Sequence, residues 1–183
     1  MDALKRLQAA LDQFARLTGH LAAWLSLALV LLTVAVVVLR YGFAYGNIGL
    51  QEAALYLHAA LFMLGMAYTL SLDEHVRVDI FYRRWNARRK ALVDLAGTAL
   101  FLVPLCLALL ILCWDYVIVS WTRQEGSADA GGLPFLYVLK TLLLVMPALL
   151  LIQALAEALR ALLRWQSPRD HDHGADGEGQ PWN

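Results

Sequence analysis

The residues of this sequence that could do chemistry are few and widely spaced. Lys140 is the one charged side chain within the apolar stretch 133–156. A charge at such a depth in a membrane is costly and by default suggests a function. Its long side chain could instead reach outward to a carboxylate, Glu52 or Asp115, or it could contact a partner subunit. The sequence leaves open an ion pair, a substrate contact and a subunit contact.

The histidines suggest a second kind of chemistry, a haem held by two imidazoles. His20 and His75 are expected at one membrane boundary and His58 in the opposite half, so His58 could not readily share an iron with either of them. His171 and His173 near the C-terminus are two ligands on a flexible segment, which do not make a specific metal site. We therefore expect hydrogen-bonded histidines rather than a cofactor.

Other catalytic arrangements also lack the necessary residues. Cys106 and Cys113 lie seven positions apart in one predicted helix, about 10 Å along its axis, which is too far for a disulfide. No nucleophile with a base, glycine-rich phosphate loop or pair of buried carboxylates occurs in the apolar stretches. The sequence predicts no enzyme, no cofactor and no metal site.

The composition indicates a membrane protein. Hydrophobic residues make up 60% of the 183 residues and charged residues 16%, against about 45–50% and about 25% in soluble domains. The net charge of zero gives no support for nucleic-acid binding. Four apolar stretches are each long enough to cross a hydrocarbon core of about 30 Å. These predicted spans are 21–39, 53–72, 95–114 and 133–156.

We thus predict an all-α membrane protein with four transmembrane helices in one domain, 1–166. The tail 167–183 is rich in Pro, Gly, Asp and His and is predicted to be a disordered cytoplasmic segment. Twelve basic residues lie in the two terminal segments and the 73–90 connection, against two, Arg40 and Arg123, on the other side. By the positive-inside rule both termini face the cytoplasm.

Two amphipathic segments are expected at the cytoplasmic interface. The first, 4–17, repeats apolar residues every three or four positions, as in a helix lying on a membrane. The second, in the central connection, combines basic and aromatic side chains that can contact lipid headgroups. Its predicted lipid-interface residues are Arg83, Arg84, Trp85, Arg88 and Arg89.

The order of several motifs resembles the small permease subunit of tripartite ATP-independent periplasmic (TRAP) transporters, the DctQ-like family. In that family an acidic residue opens the second span, a glycine lies within it and a His-x-x-Val-Asp signature follows, matching Glu52, Gly65 and 75–79 here. The last span also fits the family, at Lys140, Pro147, Gln153 and Glu157. The whole resemblance covers roughly residues 15–165.

The resemblance implies a function that composition could not. Such a subunit pairs with a large multi-span permease in the bacterial inner membrane and braces its scaffold. A periplasmic binding protein delivers the substrate, an organic acid, and an ion gradient, usually of sodium, drives uptake. The resemblance also implies a set of interface residues, which would make contacts within the subunit, with the large permease or with lipid. These are Glu52, His75, Arg77, Asp79, Lys140 and Pro147.

Three finer hypotheses and two alternatives remain. Lys140 is expected to pair with Glu52, and Asp79 with a nearby arginine, while His75 bonds another helix. The main alternative function is a membrane anchor subunit of an electron-transfer complex. A small multidrug-type exporter would need acidic residues within a span, away from its ends, and the predicted spans have none.

Overall fold

The computed structural model of the chain describes residues 2–71, 92–93 and 95–166. In these ranges every regular element is helical, and four helices are long and apolar enough to cross a membrane. The predicted all-α, four-span architecture is therefore confirmed. The long helices are α1 (Asp2–Gly42), α2 (Ile48–Ser71), α3 (Val103–Thr122) and α4 (Leu136–Gln166). The spans are Arg16–Gly42, Ile48–Leu70, Leu95–Thr122 and Leu136–Arg160.

The third span extends farther than the sequence pattern predicts. Its helix continues past 114 to Thr122, so that Asp115 lies within the span instead of just beyond its end. The prediction ended the span at the first charge, but the residues that follow Asp115 are mostly apolar and continue the helix. Helix ends are set by backbone hydrogen bonds and capping, which a single exposed carboxylate does not interrupt.

The N-terminal amphipathic segment is the beginning of α1 and not a separate helix. Helix α1 has 41 residues, a length of about 60 Å, which is about twice the thickness of the hydrocarbon core. The turns before Arg16 therefore extend beyond the spanning part. Their position at the membrane interface stays a prediction.

The two prolines within spans have different local structures. Pro104 follows a π-helical turn, Thr98–Leu102, in which the Val103 N–H donates to the carbonyl of Thr98. Proline has no N–H and its ring crowds the carbonyl four residues earlier, so a wider turn at this place relieves the clash. Pro147 lies inside α4 and is less than 2% exposed.

Helix α4 is the centre of the bundle and packs against the three other helices. A third of its spanning window is buried, compared with 6% in each of the other three. The core brings together Ala67 of α2, Cys106 of α3 and Leu149 and Leu150 of α4. Most residues of the α1 and α3 spans are exposed, toward lipid or another protein, whereas most residues of α2 are partly buried.

Candidate functional site

Several polar contacts between helices lie at the loop end of the bundle, which we define by the connections 43–47 and 123–135. The turn after α3 begins this arrangement. The Gln124 N–H donates to Trp121 O (3.2 Å) and the Glu125 N–H to Ser120 O (3.1 Å). With Gln124 at a positive φ of 48°, these bonds form a Schellman cap. The cap reverses the chain and directs Glu125 toward the start of α4.

Lys140 of α4 is paired with Glu125. Its Nζ lies 2.5 Å from a carboxylate oxygen of Glu125 and 4.0 Å from the ring centroid of Tyr116. The Lys140 side chain is 10% exposed and that of Glu125 39%. The Tyr137 N–H donates to the carbonyl of Glu125 (3.3 Å) and aligns the loop with α4. The hydrogen bond from Lys140 lowers the pKa of Glu125 below its ordinary value, so this carboxylate is held ionised.

This pairing corrects the predicted partner of Lys140, which was Glu52 or Asp115. Glu52 is engaged elsewhere, and Asp115 lies on the exposed side of α3. The error came from ending α3 too early. With the helix extended to Thr122, the cap places the next acidic residue, Glu125, beside the first turns of α4.

Glu52 ties α2 to the 123–135 loop. One carboxylate oxygen accepts a hydrogen bond from the Ser127 hydroxyl, and the other accepts the Leu133 N–H at 2.6 Å. The Ser127 N–H donates to Leu133 O (2.9 Å), which closes the loop on itself. A Cβ at Gly132 would lie 2.8 Å from Glu52 Oε1. Only glycine therefore allows this approach of the loop to the carboxylate.

An aromatic contact joins α3 to α4 near the Lys140–Glu125 pair. Trp121 Nε1 donates to the hydroxyl of Thr141 at 2.9 Å, and the Trp121 and Tyr137 rings meet edge to face with centroids 4.7 Å apart. Such ring pairs add a stabilising contact beyond their buried area. We call the set Glu52, Glu125, Ser127, Leu133 and Lys140 the loop-end clamp.

The loop-end clamp is a structural arrangement. Both carboxylates are occupied by donors within the chain, and the ammonium group of Lys140 is bound by a carboxylate and an aromatic face. In the described part of the chain, no group of three or more metal-binding side chains gathers at one place. The clamp fixes α2, α3 and α4 relative to one another at one end of the bundle.

The other predicted site residues are distributed differently. Pro147 is buried within α4 and takes no part in the clamp. The cluster at the end of the second span and the lipid-interface residues lie outside the described residues. These are His75, Arg77, Asp79, Arg83, Arg84, Trp85, Arg88 and Arg89.

Sequence reasoning missed Glu125 and Ser127, the two loop residues whose side chains take part in the clamp. A usable signal existed for Glu125, since a lysine inside a span needs a counter-charge and the neighbouring loop has only two acids, Glu125 and Asp129. No comparable signal marked Ser127. Gln153 in α4 is 1% exposed, and its amide nitrogen has no hydrogen-bond partner in the described structure.

The comparisons with known proteins identify the family. A family model described as "Tripartite ATP-independent periplasmic transporters, DctQ component" matches residues 29–164. No curated protein and no solved structure matches the chain. The matched range includes α2, α3, nearly all of α4 and every residue of the loop-end clamp. This is a family of transporter components and not of enzymes. The chain therefore belongs to the DctQ family and is the small permease subunit of a TRAP transporter.

Proposed function

We propose that this subunit braces the scaffold of a large multi-span permease in the inner membrane. The permease takes up an organic acid that a periplasmic binding protein delivers, and a sodium gradient drives the uptake. The family match over residues 29–164 carries this proposal, since it makes the chain one component of a tripartite system.

Two features of the structure support a bracing role. The loop-end clamp holds three helices in a fixed arrangement through bonds that involve backbone and side chains of the same loop. Most residues of the α1 and α3 spans are exposed, so a large spanning surface is available to lipid or a partner. A rigid unit with a large outward surface is suited to hold another membrane protein in place.

The orientation is part of the proposal. The basic residues of the terminal segments and the 73–90 connection favour cytoplasmic termini. The loop end, near which Arg40 and Arg123 lie, then faces the periplasm, where the binding protein arrives.

Reconstitution tests the proposal directly. Proteoliposomes would contain this chain alone, the large permease alone or both, with the purified binding protein and a radiolabelled carboxylate outside. We expect uptake only with both membrane subunits, the binding protein and an inward sodium gradient. Full uptake by the large permease without this chain would contradict the bracing role. Uptake by this chain alone would contradict its assignment as an accessory subunit.

A matched control separates coupling from leakage. Replacing the sodium gradient with an equal potassium gradient should abolish uptake, while membrane integrity stays unchanged. Equal uptake in both gradients would contradict sodium coupling but leave the subunit assignment intact.

A further inference from the structure

Helix α2 presents one continuous outward stripe. Its exposed residues are spaced three and four apart, so they lie on a single face of the helix. Among them Leu55 and Phe62 have 58% and 63% of their surface exposed. The exposed stripe consists of Ile48, Gln51, Leu55, His58 and Phe62. This alternating spacing repeats every seven residues, which is the pattern of a helix that packs along another helix.

His58 lies at mid-depth on this stripe. It is ten residues from Ile48 and twelve from Leu70, the ends of the span, or about 15 Å and about 18 Å. Its side chain is exposed, and neither ring nitrogen has a hydrogen-bond partner in the described structure. An imidazole is too short to reach either interface from there. Polar groups at this depth normally face protein or water and not hydrocarbon.

The composition of α2 points the same way. The mean hydropathy of its spanning window is 1.5, against 2.7, 2.6 and 2.2 for α1, α3 and α4. Only 6% of that window is buried within this chain. Far fewer of its residues are exposed than in α1 or α3, yet two of the five exposed ones, Gln51 and His58, are polar. Polar groups on an exposed face are unfavourable if lipid covers it.

Gly65 continues the stripe toward the other end of α2. A Cβ at Gly65 would meet nothing within 4 Å, so this glycine does not serve packing inside the subunit. Thr69, four residues on, donates its hydroxyl to the carbonyl of Gly65 at 3.0 Å. A small residue on an outward face lets a neighbouring helix approach closely.

Asp115, the exposed acid of α3, has different surroundings from His58. Asp115 lies seven residues from the end of α3 at Thr122, among the ring-bearing side chains of Trp114, Tyr116 and Trp121. Aromatic residues mark the membrane boundary, where water can solvate a carboxylate. His58 has no such boundary near it, so the two exposed polar groups do not have the same meaning.

We propose that the stripe of α2 is the docking surface for a transmembrane helix of the large permease. That helix presents a hydrogen-bonding group to His58 and packs closely over Gly65. This inference rests on the proposed function, because the tripartite family supplies the second membrane protein. Helices α1 and α3 then face mainly lipid.

Site-specific photo-cross-linking tests which face is covered. In the complex co-expressed in native membranes, p-benzoylphenylalanine replaces Leu55 or Phe62 on the stripe, or Leu31 of α1 or Leu112 of α3 as matched controls. The two controls are also well exposed, at 62% and 77%. We expect adducts with the large permease from Leu55 and Phe62 and none from Leu31 or Leu112.

Three outcomes would overturn the inference. These are permease adducts from α1 or α3 in place of α2, a cross-linked pair of this chain through α2, and no protein adduct from α2 although the permease co-purifies. In the last case the proposed function stands. If no permease co-purifies with the unmodified chain, the proposed function and this inference fail together.

Substitutions measure the same contact. Gly65→Leu fills open space in this subunit and should weaken its association with the permease at least tenfold. Gly97→Leu is the matched control, since a Cβ there also meets nothing within 4 Å. His58→Leu should weaken association about 3- to 18-fold, the range of hydrogen bonds between membrane helices. Equal effects of the two glycine substitutions would contradict a specific role for α2.

Discussion

Lys140 is a charged residue inside a membrane-spanning helix, and its contacts explain how the charge is tolerated. Glu125 lies 2.5 Å from its ammonium group, and the Tyr116 ring lies beneath it. Breaking such a pair by removing one partner leaves the other charge uncompensated. Lys140 thus has a structural role at the loop end, and its pairing needs no substrate.

The pair gives a first prediction. Glu125→Gln and Lys140→Met should each lower the Tm of the detergent-solubilised protein by about 2–4 °C. The double substitution should lower the Tm by clearly less than the sum, because both changes remove the same contact. Asp115→Asn is the matched control and should have little effect. Full additivity of the two single substitutions would contradict the pair.

The pH dependence of this pair has a definite sign. The pKa of Glu125 is lowered below its ordinary value of 4.5 by the hydrogen bond from Lys140. A lowered pKa in the folded state means that the stabilisation is complete above pH 4.5 and is lost as the pH falls through the folded pKa. The Tm difference between wild type and Glu125→Gln should therefore be constant from pH 8 to 6 and shrink below pH 4.5. A difference that grows on acidification would contradict this assignment.

Gly132 gives a third prediction at the residue scale. Its Cβ, if present, would lie 2.5 Å from Ser127 Cβ and 2.8 Å from Glu52 Oε1. Gly132→Ala should therefore displace Ser127 from Glu52 and destabilise the protein by about 1–3 kcal/mol, as overpacking does elsewhere. Gly46→Ala is the control, because a Cβ there meets nothing within 4 Å. Chemical denaturation in mixed micelles compares the two, and equal stabilities would contradict the close approach.

At the scale of elements, the cap that ends α3 determines the position of Glu125. In this cap the residue with a positive φ is Gln124, a position that glycine usually occupies. The strain of a side chain in this conformation is about 1 kcal/mol or more, which exceeds the extra chain entropy that glycine loses on folding.

We therefore expect Gln124→Gly to stabilise the protein by about 0.5 kcal/mol. Ala44→Gly should do the same, since Ala44 has a φ of 53°. Ala130→Gly, at a loop position without a positive φ, should instead destabilise by roughly 0.4–1 kcal/mol. Urea titration in a fixed detergent measures all three. Destabilisation by Gln124→Gly would show that its side chain has a role beyond the cap.

The same element shows what the sequence could and could not predict. The four spans were predictable because apolar length is a local property, and the membrane demands about 20 residues of it. The end of α3 could not be predicted in the same way, because a cap depends on backbone hydrogen bonds from Gln124 and Glu125 that no hydropathy pattern shows. The partner of Lys140 depended on that end, and Ser127 depended on the path of the loop.

At the scale of the whole molecule, the contacts divide the bundle into an inner and an outer set of surfaces. Helix α4 contacts all three neighbours, and the loop-end clamp fixes α2 and α3 to it at one end. Helices α1, α2 and α3 each have an exposed face, and their spans differ in mean hydropathy. We therefore expect lipid and a second membrane protein to cover different exposed faces of the bundle.

The sidedness of this arrangement gives the last prediction. If both termini are cytoplasmic, the loop end faces the periplasm, and a membrane-impermeant maleimide added to intact cells with a permeable outer membrane should label Asp129→Cys. Ala175→Cys should be labelled only after the inner membrane is disrupted. The native Cys106 is buried and Cys113 lies within α3, so the unmodified chain is the background control. Labelling of Ala175→Cys in intact cells, with Asp129→Cys protected, would reverse the topology. The twelve basic residues assigned to the cytoplasm would then lie outside the cell, against the charge rule on which the orientation depends.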